Sequence, residues 1–184
     1  MAAADTPDTL PLPTFEKPVK LLVVMAPFHK DISDQLRLGA VAALARPNVS
    51  YETIQVPGTL EISTAIAIAE RMSNYDGYVA LGCILRDKTR HHKVLANTAY
   101  RAISQMGLNG VSIGNGILTV ANLKQAKTRA SVKDRDYGGN AAIAALHLVA
   151  LSRKWGRETK GIGFKPASGE FLMADSPDNG PNTA

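Results

Sequence analysis

The chain has 184 residues, of which 45% are hydrophobic, so it can bury one core and is expected to form a single folded domain. Its net charge is +5, which favours acidic small molecules, nucleic acid or anionic surfaces as partners. A single cysteine excludes an internal disulfide, no apolar run approaches the roughly 20 residues of a membrane helix, and the N-terminus lacks a signal-peptide pattern. We therefore expect a cytoplasmic protein without a membrane partner.

The first elements are a tail, a buried strand and a helix. Residues 1–17 are rich in Pro, Thr and Ala without periodicity, and we expect a flexible tail. Residues 20–26 form a continuous apolar run, which is typical of a strand covered on both faces. Asp31 or Ser33 is expected to cap the following helix, whose apolar positions share one face as far as Leu44.

The middle of the chain repeats this alternation. Residues 50–56 predict a second strand, and residues 59–72 predict an Ala- and Ile-rich helix after a Pro-Gly pair. Residues 78–81 predict a third, buried strand that leads into a basic loop over 82–94. After that loop, apolar side chains recur at helical spacing, namely at Leu95, Ala99, Ala102 and Met106.

The last third predicts one strand and two helices. Residues 111–120 form a fourth strand that we expect Gly114-Asn115-Gly116 to interrupt. Asn122 is expected to cap a short helix to about residue 130, and the last helix runs over 140–155. Residues 156–184 predict a flexible C-terminal extension, which leaves 18–155 as the domain. Strands that alternate with helices in this way predict an α/β fold with a doubly wound parallel sheet.

The basic loop is the strongest candidate for a binding site. It joins the carboxyl end of a strand to the start of a helix, which is where open α/β sheets place ligands. Free N–H groups at the helix start favour an anion, and the loop adds Arg86, Lys88, Arg90 and Lys93. His91 can exchange a proton near neutral pH. A solvated basic turn is the alternative, but the position at a strand end favours a site for an anionic substrate.

Three predicted strand ends should meet at the same edge of the sheet. Phe28 follows the first strand, and Glu61 lies in the first turn after the second. Phe28 can either close the core or stack on a heteroaromatic ring, and Glu61 can either stabilise a helix N-terminus or accept hydrogen bonds. Cys83 can pack as a small apolar residue or act as a nucleophile, and packing is the preferred interpretation. His91 and His92 point about 100° apart on a helix, so no metal site is expected.

Several segments together resemble the lumazine synthase (6,7-dimethyl-8-ribityllumazine synthase) family. Gly82, Arg86, Thr89 and His91 fit its Gly-x-Ile-Arg-Gly-x-Thr-x-His loop. The other matching segments are Val56–Glu61 (Val-Pro-Gly-Ala-x-Glu), Asn115–Thr119 (Asn-Gly-Ile-Leu-Thr), Lys124–Ala130 (Glu-Gln-Ala-x-x-Arg-Ala) and Gly138–Ala142 (Gly-x-Glu-Ala-Ala). The resemblance extends from about Val19 to Trp155 and implies a flavodoxin-like fold with four parallel strands and helices on both faces.

The resemblance also implies a reaction and a set of residue roles. The family condenses 5-amino-6-(D-ribitylamino)uracil with 3,4-dihydroxy-2-butanone 4-phosphate, without cofactor or metal, in riboflavin biosynthesis. His91 would move protons, and Lys88, Thr89 and Arg129 would hold the phosphate. The pyrimidine would be bound by Phe28, Thr59, Leu60, Glu61, Cys83, Ile84, Leu85 and Asn115. Family members assemble as pentamers or multiples of pentamers with sites between subunits, and no nucleic acid or membrane partner is implied.

The loop also departs from the family pattern. Asp87 stands where the family has a glycine, His92 where it has an aromatic residue after the histidine, and Lys93 where it has an acid. Tyr137 stands where a lysine or asparagine is usual. These changes raise a second hypothesis, a weak or inactive paralogue that binds flavin or lumazine or forms a shell, which ranks after catalysis. A basic module that binds RNA or another polyanion through residues 86–101 is a third.

Overall fold

A computed structural model describes residues 10–156 of the chain. These residues form one sheet of four parallel strands in the order β2-β1-β3-β4, with helices on both faces, as the sequence predicts. The strands are β1 (Val19–Met25), β2 (Val49–Gln55), β3 (Gly77–Leu85) and β4 (Ile113–Val120). The helices are α1 (Lys30–Leu44), α2 (Thr59–Met72), α3 (His91–Leu108), α4 (Leu123–Ala130) and α5 (Tyr137–Trp155). None of these helices is long and apolar enough to cross a membrane.

The sheet separates two apolar cores. On one face, alternate side chains of β1 and β3 pack against α1, α4 and α5, with Leu36 and Leu146 fully buried. On the other face, the remaining side chains of the same strands pack against α2 and α3, with Ile62 and Ile66 fully buried. Both cores bury the apolar runs of β1 and β3, because helices cover these strands from both sides.

Helix termini and one helix face differ from the sequence prediction. Neither Asp31 nor Ser33 caps α1; the N-cap is His29, whose φ of 56° turns the chain without a side-chain cap. The Asn122 cap is confirmed, because its side chain accepts a hydrogen bond from the backbone of Gln125 at 3.0 Å. In α3 the buried positions are Ala96, Ala99 and Ile103, whereas the predicted Leu95 and Met106 are only partly buried, because the helix presents a face rotated from the predicted one.

Strand β4 is continuous, so the predicted interruption at residues 114–116 is wrong. Gly114 pairs with Val79 inside the ladder, and a Cβ atom at Gly114 would overlap the backbone carbonyl of Ala141 in α5. The glycine therefore permits the close packing of α5 on the strand rather than a turn. The same helix begins at Tyr137, earlier than predicted, and the Asp136 side chain accepts a hydrogen bond from Gly139 N.

The described part of the N-terminal segment contacts the last helix. Arg153 of α5 donates hydrogen bonds to the carbonyl oxygens of Lys17 and Pro18 and pairs with Asp76 at 2.9 Å. Phe15 packs against the α5 side of the core. The expected C-terminal extension falls almost entirely on residues 157–184, which lie outside the described residues, and the domain limits 18–155 stay a prediction.

Candidate active site

The carboxyl ends of β1, β2 and β3 enclose a cleft of about 670 Å³. Strand β3 extends to Leu85, four residues beyond the predicted end, so the exposed loop begins at Arg86 and the strand itself supplies one wall. Eight of the predicted site residues line this cleft: Phe28, Thr59, Leu60, Glu61, Cys83, Ile84, Leu85 and His91. Its other lining residues are His29, Pro57, Gly58, Arg86, Asp87, His92 and Leu95.

The β2–α2 junction brings an aromatic ring and a carboxylate together at the cleft. Phe28 is 58% exposed, so it does not close the core. Gly58 is the N-cap of α2, and a Cβ atom there would lie 2.8 Å from the Glu61 carboxylate and 4.0 Å from the Phe28 ring. The glycine therefore leaves room for Glu61 to lie near Phe28. The arrangement presents a stacking surface beside a hydrogen-bond acceptor, at the positively polarised start of a helix.

The β3 wall of the cleft is apolar. Cys83 is only 4% exposed, and burial raises the pKa of its thiol to about 11. The group is therefore almost entirely the neutral thiol near pH 7, and a thiolate nucleophile is not available. This favours the interpretation of Cys83 as a small apolar wall residue, next to Ile84 and Leu85.

The loop before α3 contains a connected set of hydrogen bonds. Thr89 Oγ1 donates to Asp87 Oδ2 at 2.6 Å and accepts from the backbone N–H of His91 at 3.2 Å. His92 Nδ1 lies 2.8 Å from Asp87 Oδ1 and 2.9 Å from the Thr89 carbonyl oxygen. The hydrogen bond from Thr89, followed by that from His92, holds the pKa of the Asp87 carboxyl below its usual value.

Arg86, Lys88 and Arg90 are the cations nearest to Asp87 in the sequence and are the obvious candidates to pair with its carboxylate. Within the described residues, its partners are instead Thr89 and His92, and no ion pair joins it to Arg86, Lys88 or Arg90. An aspartate side chain in a turn often accepts a hydrogen bond from a group two residues further along the chain. This pattern could have indicated the contact between Asp87 and Thr89. From the sequence, His92 is a departure from the family pattern and a poor metal ligand beside His91, whereas in the structure it lines the cleft.

Four predicted site residues do not line the cleft: Lys88, Thr89, Asn115 and Arg129. The first two are exposed in the adjoining loop. Asn115 lies in β4, where its side chain accepts a hydrogen bond from Ile117 N at 3.0 Å. Arg129 lies in a separate depression of about 370 Å³ at the α4–α5 junction, with its guanidinium 5.6 Å from the centre of the Tyr137 ring.

The depression around Arg129 is basic. Lys124, Arg129 and Arg135 line it, together with Gln125, Thr128 and Tyr137. No carboxylate of the described residues pairs with Arg129. Such a surface suits an anion. Within residues 10–156 no group of three or more His, Cys, Asp or Glu side chains could hold a metal ion.

Comparisons with known proteins agree on one family. Residues 18–153 match the family model for 6,7-dimethyl-8-ribityllumazine synthase. The chain is 48% identical to the protein of that name from Jannaschia sp. (strain CCS1), over 94% of this chain and 97% of the relative. It is 48% identical to the Novosphingobium aromaticivorans protein over 74% and 98%, and 49% identical to the Bartonella tribocorum protein over 74% and 91%. The chain belongs to the 6,7-dimethyl-8-ribityllumazine synthase family.

Proposed function

We propose that the chain condenses 5-amino-6-(D-ribitylamino)uracil with 3,4-dihydroxy-2-butanone 4-phosphate to give 6,7-dimethyl-8-ribityllumazine. Family membership makes it a transferase of riboflavin biosynthesis that acts on small molecules. The observation that carries the proposal is the single cleft that gathers Phe28, Glu61 and His91 from three parts of the chain. We expect the reaction in the cytoplasm and without a cofactor.

The cleft would bind the pyrimidine. Phe28 offers an exposed ring for stacking, and Glu61 offers a carboxylate for the ring N–H groups or the ribityl hydroxyls. Thr59, Leu60, Cys83, Ile84 and Leu85 form the walls. A narrow apolar cleft with few polar groups fixes the orientation of a planar heterocycle, which is the main requirement of a condensation between two bound substrates.

His91 would transfer protons during the condensation. It is the first residue of α3 and lines the cleft, so its ring reaches the pyrimidine site while its backbone stays fixed by Thr89. Forming the imine and closing the ring each require protons to move on and off nitrogen and oxygen. A positioned imidazole accelerates such steps by roughly 10²–10⁴-fold.

The phosphate would be held by cations from two copies of the chain. Lys88 and the loop backbone lie beside the cleft, whereas Arg129 lies in the separate depression of the same chain. A neighbouring chain that places its Arg129 and Asn115 over this cleft would complete the site. In the single chain, six of the seven residues of the edge strand β2 are exposed, and Tyr51 and Ile54 are each 37% exposed. A neighbouring chain would cover this apolar edge. We therefore propose a pentamer or a multiple of it.

A second function, binding without turnover, is favoured by one observation. The only hydrogen of the Thr89 hydroxyl is donated to Asp87, so this hydroxyl cannot also donate to a phosphate. Phosphate would then depend on backbone N–H groups, Lys88 and Arg129. A chain with this loop could bind the pyrimidine or lumazine and assemble while turning over slowly.

Mixing the purified protein with both substrates distinguishes the two functions. We expect lumazine fluorescence to develop, and we expect His91→Gln to slow it about 100-fold. Lys93→Gln is the matched control, because Lys93 lies on the same helix outside the cleft. If wild-type protein binds lumazine but forms none from saturating substrates, the binding function replaces catalysis.

A further inference from the structure

The position of one proton in the loop follows from hydrogen-bond chemistry. His92 Nδ1 lies within hydrogen-bond distance of two atoms, the Asp87 carboxylate at 2.8 Å and the Thr89 carbonyl oxygen at 2.9 Å. An ionised carboxylate and a backbone carbonyl can only accept hydrogen bonds. Nδ1 must therefore carry a hydrogen that it shares between them, in the neutral as well as the charged imidazole.

The fixed proton determines which atom of His92 can exchange protons. With Nδ1–H retained, the lone pair of the neutral ring is on Nε2, the atom on the far side of the ring from Asp87. The His92 side chain is only 11% exposed, yet the ring lines the cleft beside His91. A carboxylate that orients an imidazole through Nδ1 and leaves the lone pair on Nε2, in a residue that lines a cleft, is the arrangement of a general base.

We propose that His92 is a second proton-transfer group of this site, with Asp87 as its positioning residue. The inference rests on the proposed condensation. It adds a second histidine to His91, at a position where the family pattern has an aromatic residue. In this assignment Asp87 is not an obstacle to phosphate, because its carboxylate is turned to His92 and Thr89.

The condensation requires two proton carriers acting in opposite directions. When the carbinolamine becomes an imine, the nitrogen loses a proton, its electron pair forms the C=N bond, and the hydroxyl leaves as water after taking a proton. One group accepts a proton and another donates one in the same step. Phosphate elimination requires the acceptor alone, because a carbon-bound proton passes to it, the C–H electron pair forms the new C=C bond, and the C–O electron pair departs with the phosphate. His92 Nε2 serves as the acceptor and His91 as the donor.

Several ionisable side chains surround this pair and bear on its pH dependence. Those sharing the cleft with His92 are His29 from the β1–α1 connection, Glu61 from α2, Cys83 from β3, and Arg86, Asp87 and His91. Cys83 stays neutral in the working range, because its pKa is about 11. The pair Asp87–His92 is the one carboxylate–imidazole contact within 4.0 Å among the described residues.

Two substitutions of His92 separate proton transfer from loop support. In His92→Asn the side-chain amide nitrogen occupies the place of Nδ1 and still donates to Asp87, but nothing replaces Nε2. In His92→Phe both functions are lost. We expect His92→Asn to lower kcat about 100-fold with both KM values within about twofold, and to remove one ionisation from the pH–rate profile. His92→Phe should also raise KM for the phosphate substrate, because the loop loses its tie to Asp87.

Wild-type kcat and an unchanged pH profile in His92→Asn would overturn the inference and leave His92 a loop support. The tautomer is measured independently by ¹⁵N NMR of histidine-labelled protein, whose four histidines are assigned by substitution. We expect Nδ1–H at His92, and Asp87→Asn should reduce that tautomer because an amide also donates.

An Nε2–H tautomer in the wild type overturns the inference whatever the activity. If the wild type makes no lumazine, the proposed function fails separately. Added 6,7-dimethyl-8-ribityllumazine then decides the inference, since it should shift the His92 Nε2 resonance, and no shift would contradict it.

Discussion

The two concave surfaces of the chain differ in how their walls are made. The cleft lies at the ends of three strands, and the buried strand β3 forms its wall at Cys83 and Ile84, which therefore has almost no exposed surface and little freedom to move. The depression around Arg129 is formed by side chains of α4, of the α4–α5 connection and of the start of α5, all of them charged or polar. One surface is shaped for an uncharged ring, and the other for an anion.

Under the proposed function, this difference means that each chain carries only one half of each site. The family's substrates are an uncharged heterocycle and a phosphate ester that must lie next to each other, whereas the chain holds the matching surfaces apart. Two copies arranged with the cleft of one facing the depression of the other would join them. The comparison can therefore be tested by removing one half at a time.

The largest expected effect is complementation between two inactive variants. His91→Ala disables the cleft, and Arg129→Ala disables the depression, so neither alone should form lumazine at an appreciable rate. Refolding equal amounts together should restore activity to about a quarter of wild type, because about a quarter of the interfaces in a mixed ring pair two intact halves. The rate is followed by lumazine fluorescence.

Each variant refolded with itself is the control for this experiment. Light scattering of the wild type should give a multiple of five times the 19.6 kDa chain mass. A mixture no more active than its components, or a mass of one chain, would place both halves within a single chain.

The second effect is the slow alkylation of Cys83, which follows from the low solvent exposure of the cleft wall. Because burial raises the pKa of Cys83 from 9.0 to about 11, its thiolate fraction near pH 8 should be about 100-fold lower than that of an exposed cysteine. Alkylation by iodoacetamide should be slower by at least that factor and should accelerate about tenfold per pH unit up to about pH 11. The raised pKa also makes the free energy of unfolding depend on pH. The contribution of this thiol is fully present below about pH 9 and is lost as the pH rises from about 9 to 11, because the unfolded chain releases the proton first.

Labelling of the unfolded chain in urea is the reference for this rate. If Cys83 in the folded protein reacts as fast as the unfolded chain, the wall is open to water, and the contrast between the two surfaces is wrong.

The third effect separates the two substrates. Arg129→Ala should weaken phosphate-bearing ligands by about 1.5–3 kcal/mol, the usual range for hydrogen bonds to charged groups. Binding of a ribityl-pyrimidine analogue should hardly change. Phe28→Ala is the reciprocal variant and should weaken the analogue while leaving inorganic phosphate unaffected. Isothermal titration with each ligand measures both, and an equal loss for both ligands in either variant would indicate misfolding.

The smallest effect is on the ring that supports Arg129. The guanidinium lies 5.6 Å from the centre of the Tyr137 ring, and a cation–π contact at an exposed site contributes about 0.5–1 kcal/mol. Tyr137→Leu should therefore raise KM for the phosphate substrate about two- to fivefold, whereas Tyr137→Phe, which keeps the ring, should not. Equal KM values for the two variants would show that the aromatic ring does not support Arg129.

The fold could be predicted from the sequence because the helices have a hydrophobic period and the central strands are short continuous apolar runs. The buried runs of β1 and β3 and the Asn122 cap are local signals and appear where expected. The errors arose where tertiary packing decides. Gly114 looked like a turn residue because the helix that lies against it is 27 residues further along the chain.

The candidate site was predictable to the same extent. Phe28, Glu61 and His91 follow predicted strand ends, so topology alone brings them together. The partners of Asp87 are not evident from the sequence, because cations stand closer to it in the chain than the imidazole five residues away. The separation of Arg129 from the cleft depends on how the α4–α5 junction folds back, which no local pattern contains.

The Arg153 contacts have a consequence for engineering. Because its guanidinium donates to Lys17 and Pro18, the point where the chain enters the fold lies beside the end of its last helix. A short linker from residue 156 back to residue 17 would span this gap, and new ends could be opened at the exposed turn around Gly110, where φ is 90°. A protein joined at residue 18 and one joined at residue 156 would therefore leave the subunit from neighbouring points on its surface.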